Sequence, residues 1–254
     1  MRSTIRSSAF ATLITLLLGG GAALAQEDGG VAPAAGTERS TPPAAPPEKR
    51  VGDAYPFATC PVSGKALGAM GAPAVRVYRG REVRFCCAAC VPTFEKDVSA
   101  GLAALDAKII EDQRPLYPLS TSLVTGKALP AIPHEFVYGN RLVRLGAKRE
   151  EVAFLKDTAK HLGALDAAVV RAQGPGYALT TCPVSGDAFG GEMGEPEDLV
   201  VAGRLVRLCC AGCEGTVEKD PAKFVALVDA ARKGAAGTGG ADRAGEGRTG
   251  GDGK

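Results

Sequence analysis

One segment recurs three times along the chain, and that recurrence limits the fold more than any other feature. The copies open Tyr55-Pro-Phe-Ala-Thr-Cys60-Pro-Val-Ser-Gly64, Tyr117-Pro-Leu-Ser-Thr-Ser122-Leu-Val-Thr-Gly126 and Tyr177-Ala-Leu-Thr-Thr-Cys182-Pro-Val-Ser-Gly186, with offsets of 62 and then 60 residues. Further on they share Arg84-Phe85-Cys86-Cys87, Arg144-Leu145-Gly146-Ala147 and Arg207-Leu208-Cys209-Cys210, then Glu95-Lys96-Asp97, Leu155-Lys156-Asp157 and Glu218-Lys219-Asp220. Matching in register over this length is duplication. The expected units are residues 54–114, 115–174 and 175–233. A unit of this size has a marginal apolar core and commonly relies on a staple.

Periodicity gives the plan of one unit. Val75 to Tyr78 and Arg81 to Phe85 alternate around Gly80, which predicts a short β-hairpin. Asn140 and Gly203 mark the equivalent turns. Phe94, Val98, Leu102 and Leu105 follow at helical spacing, as do Phe154, Ala159, Leu162 and Leu165. The expected fold class is therefore α+β: three tandem small modules, each a β-hairpin plus a helix.

The ends differ in kind. Residues 1–25 carry Arg2 and Arg6, an apolar run from Ala9 to Leu18, and a small-x-small signal at Ala23-Leu24-Ala25. This predicts a secretory signal peptide cleaved after Ala25, and a bacterial protein that is periplasmic or secreted. Its apolar run is too short for a transmembrane helix. Residues 26–53 are an Ala/Pro-rich stretch expected to be a disordered linker, and residues 234–254 a disordered Gly-rich tail. Without Arg2 and Arg6, the 30 basic residues fall to 28 and balance the 28 acidic ones. That neutrality argues against a nucleic-acid or anionic-membrane partner, and no later run approaches about 18 apolar residues, so no stable membrane insertion is expected after cleavage.

All eight cysteines lie in two matching sets: Cys60, Cys86, Cys87 and Cys90, and Cys182, Cys209, Cys210 and Cys213. Each set joins a lone Cys in a Pro-Val-Ser-Gly loop to a Cys-Cys-x-x-Cys cluster at a strand end. Thiolates suit soft or borderline ions, so Zn²⁺ or Cu⁺, two per chain, is the expected cofactor. The start of a helix should lower the pKa of Cys90 and Cys213. Four thiolates would close an ion's coordination, which points to a structural or carried ion.

Phe85-Cys86-Cys87-Ala-Ala-Cys90, followed by Phe94, Asp97 and a helix, resembles the TRASH and YHS families of heavy-metal-binding modules. The resemblance covers residues 55–232. It implies a treble-clef-like fold and a part in metal sensing, trafficking or resistance, with an envelope metal donor or acceptor as partner. It puts Cys60, Cys86 and Cys90, and likewise Cys182, Cys209 and Cys213, on the three ligand positions, with Cys87 as an extra thiol. In the third copy Asp220-Pro221 follows these cysteines. The middle copy departs from the pattern: Ser122, Gly146 and Glu150 stand at the ligand positions.

Two other readings use the same cysteines. In an oxidising envelope each set could form two structural disulfides, leaving a stapled structural or interaction protein. The third reading is a thiol-disulfide redox protein, though no βαβ pattern surrounds Cys87-x-x-Cys90. Haem attachment is excluded at this motif because Val91 and Glu214 stand where His is required. Met70 and Met193 are expected to pack in core or loop, with Ile132 as their counterpart. His134 and His161 lack partner ligands and are expected to be surface or satisfied residues. Arg76, Arg81, Arg84, Arg204 and Arg207 are expected on a solvated strand face. No nucleophile triad, paired-carboxylate site or phosphate loop occurs, so no enzyme activity is expected.

Overall fold

The computed structural model describes residues 49–191 and 194–238. The expected signal peptide, most of the expected linker, the tail beyond residue 238 and Met193 lie outside the described residues. The architecture is mixed α+β, with three two-stranded antiparallel hairpins that share no strand. The first unit runs β1 (Ala74–Tyr78), β2 (Arg81–Phe85), α1 (Cys90–Glu95) and α2 (Val98–Gln113). The second runs β3 (His134–Tyr138), β4 (Arg141–Leu145), α3 (Glu151–Lys156) and α4 (Thr158–Gln173). The third runs β5 (Glu197–Val201), β6 (Arg204–Leu208), α5 (Glu214–Lys219) and α6 (Pro221–Thr238).

Each hairpin closes on two residues with positive φ: Arg79 and Gly80, Gly139 and Asn140, Ala202 and Gly203. Two left-handed residues make the turn whose twist matches paired strands, which is why Gly or Asn stands in each. The pairing that results sets Tyr78 opposite Arg81, Tyr138 opposite Arg141 and Val201 opposite Arg204. Val83 and Phe85, Val143 and Leu145, and Val206 and Leu208 then bury against the helices.

Where the sequence predicts one helix per unit, the structure has two. Asp97 breaks the run with an extended φ of −150°, and its carboxylate accepts a hydrogen bond from the Ala100 N–H. Asp157 does the same for Lys160, and Asp220 for Lys223. An aspartate at this position satisfies an amide that the helix start leaves free. The apolar spacing runs across the break, which hides it from periodicity; Ala159, counted in that spacing, is exposed.

The first and third units fill their cores by opposite means. Phe94 lies over Gly101, where an added Cβ would come within 2.5 Å of its ring. At the matching places the third unit has Val217 and buried Phe224. In the middle unit Phe154 stacks on His161, ring centroids 5.7 Å apart.

The units are joined by side chains that also repeat. Gln113 donates to the Asn140 carbonyl and accepts from the Leu142 N–H; Gln173 donates to the Gly203 carbonyl and accepts from the Leu205 N–H. Each glutamine thus ties the end of one long helix to the next hairpin. Arg84 in turn donates to the carbonyls of Glu218 and Lys219 at the end of α5, which brings the third unit back to the first.

Arg81, Arg141 and Arg204 open the second strand of each hairpin, and all three are buried. They pair with Asp106, Asp166 and Asp229 on the long helices. Arg81 and Arg204 therefore do not lie on a solvated face. A buried guanidinium needs such a partner because desolvation otherwise opposes it. Arg204 also holds Asp112 of the first unit.

Two expected boundaries shift. Asp53 belongs to the stretch read as a linker, yet its carboxylate holds Arg141 through two hydrogen bonds of 2.9 Å and accepts from the Ala202 N–H at 2.7 Å. Its own N–H donates to the Gly139 carbonyl. Residues 234–238, read as tail, continue α6. Ala235 and Ala236 suit a helix, and the helix carries on from apolar positions already packed.

Candidate metal centre

Each loop cysteine is presented by a tight turn. The Gly64 N–H donates to the Cys60 carbonyl and the Cys60 N–H to the Lys65 carbonyl; Gly186 and Asp187 repeat this around Cys182. Gly64 and Gly186 have φ of +69° and +84°, a region that favours glycine because it has no Cβ. The turn aims the loop thiol at the end of the second strand, where Cys86 or Cys209 stands. One short turn further on, Cys90 opens α1 and Cys213 immediately precedes α5.

The result is two triads. The Sγ atoms of Cys60, Cys86 and Cys90 lie within 4.8 Å of one another, as do those of Cys182, Cys209 and Cys213. Cys86 and Cys90 are 3.8 Å apart, Cys209 and Cys213 also 3.8 Å, and Cys182 and Cys213 3.9 Å. Sulfurs bound at about 2.3 Å to a tetrahedral ion are separated by about 3.8 Å, so the donor set fits a thiophilic ion. No two of the eight cysteines are bridged in the structure; a disulfide requires sulfurs about 2.05 Å apart. Either triad could hold a metal ion.

Four sulfurs are expected at each site, and three of them lie mutually within 4.8 Å. Cys87 reaches Cys90 at 4.0 Å and Cys210 reaches Cys209 at 4.0 Å, but both stand outside the triads and are half-buried.

In comparisons with family models, curated proteins and solved structures, nothing matches this chain.

The thiols differ in acidity, in a direction opposite to the one expected. Burial alone would raise Cys60. Hydrogen bonds from the Ser63 hydroxyl and the N–H groups of Ser63, Cys86 and Val62 outweigh it and bring the thiol down to about 6. Cys182 is held down to about 6 in the same way by Ser185, Cys209 and Val184. Cys90 and Cys213, which a helix start should have lowered, are instead pushed up to about 12. Burial is the main cause, and crowding by the other thiols adds to it. The loop turn, with its converging amides, supplies the anion-stabilising environment, and a six-residue helix supplies little.

The middle unit repeats the turn around Ser122 but fills the site differently. Ser122 is 2% exposed and its hydroxyl donates to the Glu150 carboxylate. The Gly146 N–H donates to the same oxygen at 3.2 Å. A Cβ at Gly146 would come within 2.9 Å of that carboxylate, so glycine makes the room. These three residues occupy the three ligand positions, and hydrogen bonds join loop, strand end and helix there. The sequence showed the substitutions but not the bonds; the signal was a Ser and a Glu replacing two ligands together.

Other candidates resolve simply. Met70 is 60% exposed and its counterpart Ile132 is 89% exposed, so neither packs in a core. His134 contacts the Glu151 carboxylate and stacks on Phe136, and His161 stacks on Phe154. Beside the first triad, Cys60, Pro61, Phe94, Gly101, Lys96 and Lys108 line a cleft of about 510 Å³.

Proposed function

We propose that this chain is an exported protein that binds soft metal ions, zinc or copper, at Cys60, Cys86 and Cys90 and at Cys182, Cys209 and Cys213. Its role is trafficking, buffering or resistance rather than catalysis. The observation that carries the reading is the separation of the triad sulfurs, which suits thiolate ligation and is far too long for disulfides. A loop thiol, a hairpin end and a helix start converging on one point support a treble-clef-like module and the resemblance to TRASH and YHS domains.

The middle unit favours carriage over stapling. It keeps the same order of elements with Ser122, Gly146 and Glu150 hydrogen-bonded across the ligand positions. Within the intact chain a unit of this kind therefore keeps its fold without thiolate ligation, which supports a role for its neighbours' thiols beyond stapling. Native mass spectrometry of the chain as exported, with no reductant added, tests this: two ions per chain on a polypeptide beginning at Gln26 are expected. Disulfide-linked protein without ions, or loss of folded structure on mild chelation, would favour the redox or the stapled alternative.

A further inference from the structure

Two thiols remain outside the triads, and they share a setting. Cys87 and Cys210 each follow a buried triad cysteine, are half-buried, and lead into two small exposed residues, Ala88 and Ala89 or Ala211 and Gly212. A resident fourth thiolate would stand about 3.8 Å from all three sulfurs of its triad. Cys87 is outside that mutual grouping and Cys210 likewise, although each lies 4.0 Å from one triad sulfur. Cys87 approaches Cys86 as well as Cys90, and Cys210 approaches Cys209, so both extra thiols sit against the strand-end cysteine at the rim of the triad.

Backbone geometry does not require sulfur at this place. Cys210 is extended, with φ −163° and ψ 164°, and its counterpart Ala147 is the same, with φ −159° and ψ 155°. Alanine serves in the unit that has no triad, and cysteine occurs in both units that have one.

We propose that Cys87 and Cys210 are exchange ligands, through which a triad passes its ion to, or receives it from, a thiolate-bearing donor or acceptor; this rests on the metal-binding reading above. In the outward step the Cys87 thiolate bonds to the ion as one triad sulfur releases it, and the released thiolate takes a proton from water. The acceptor's ligands then displace Cys87 and the two remaining triad thiolates in turn, and each freed thiolate takes a proton from water. The ion keeps its oxidation state, so no oxidant or reductant takes part.

The test uses the full mature chain, reduced and loaded with Cu⁺, beside the Cys87→Ala/Cys210→Ala double variant. Ala147 shows that the fold accepts alanine here, and circular dichroism checks it. Ion transfer to the chelator bicinchoninate is followed by stopped flow. The variant should still bind two ions, with affinity within about threefold of the parent. Its transfer should be slower by about tenfold or more. An affinity loss of about a hundredfold would make these thiols resident ligands, and an unchanged rate would make them bystanders; either overturns the proposal. A parent chain that takes up no ion would instead remove the metal-binding reading, and this proposal with it.

Discussion

The middle unit offers a direct trial of what makes a site. Replacing Ser122, Gly146 and Glu150 together by cysteine should create a third triad. The loop is already in place: the Gly126 N–H donates to the Ser122 carbonyl at 2.8 Å, against 2.9 Å for Gly64 and Cys60. Gly146 lacks positive φ, so a side chain is tolerated once the Glu150 carboxylate is gone. Without metal the variant loses the hydrogen bonds from the Ser122 hydroxyl and the Gly146 N–H. Groups of this kind are worth about 1–3 kcal/mol when left unpaired, and replacing both partners brings the cost toward the low end. At an ion concentration about a hundredfold above Kd, the new site should return about 2.7 kcal/mol. For a chain of this length that is a rise in Tm of about 5–10 °C beyond the rise seen in the parent. Native mass spectrometry should count three ions instead of two. A count that stays at two in a folded variant would refute the argument that three converging thiols on this frame suffice.

Three further outcomes follow from the same geometry. Asp53→Ala strips the buried Arg141 of one of its two carboxylates, and urea denaturation should show a loss of about 2–4 kcal/mol, near the cost of breaking a buried pair. At about pH 7.5 the triad of the third unit holds Cys182 ionised but Cys209 and Cys213 protonated, since the first is held near 6 and the other two are raised. Ion uptake by residues 26–254 with the first triad removed should therefore release about two protons, and affinity should fall as pH drops, most steeply below about 6 where Cys182 also takes a proton. A release near zero in a weakly buffered titration would contradict those directions. Residues 115–174 expressed alone should be largely unfolded by circular dichroism, because Gln113 and Asp53, which hold Asn140, Arg141 and Leu142 in place, are then missing.

Much of one unit was legible beforehand because its signals are local. A Gly or Asn between alternating runs marks a hairpin turn, and a thiol four residues from another at a helix start marks a shared site. What escaped depends on partners far along the chain. A strand arginine reads as solvated until the aspartate 25 residues later is known to face it; the spacing recurs at Arg81 and Asp106, Arg141 and Asp166, and Arg204 and Asp229, and that recurrence was the available clue. Asp53 escaped because it sits at the end of a Pro-rich stretch whose composition gives no hint of docking. The acidity of the thiols was misjudged because the loop amides, invisible in the residue pattern, outweigh the helix start.

The return of the third unit to the first, through Arg84 on the carbonyls of Glu218 and Lys219 and through Arg204 on Asp112, bears on how such a protein can evolve. Open arrays of repeats gain or lose copies by recombination, since each copy meets only its neighbours and the ends need no more than a polar cap. Here the terminal copies cap each other. A fourth copy inserted between them would part Arg84 from α5, and deletion of the middle copy would leave Gln113 without its hairpin. Copy number is thus fixed by closure, and divergence has to proceed inside a constant set of three. The middle copy, which has no thiols yet is held by Gln113 and Asp53 of the preceding residues, shows one such divergence within the set.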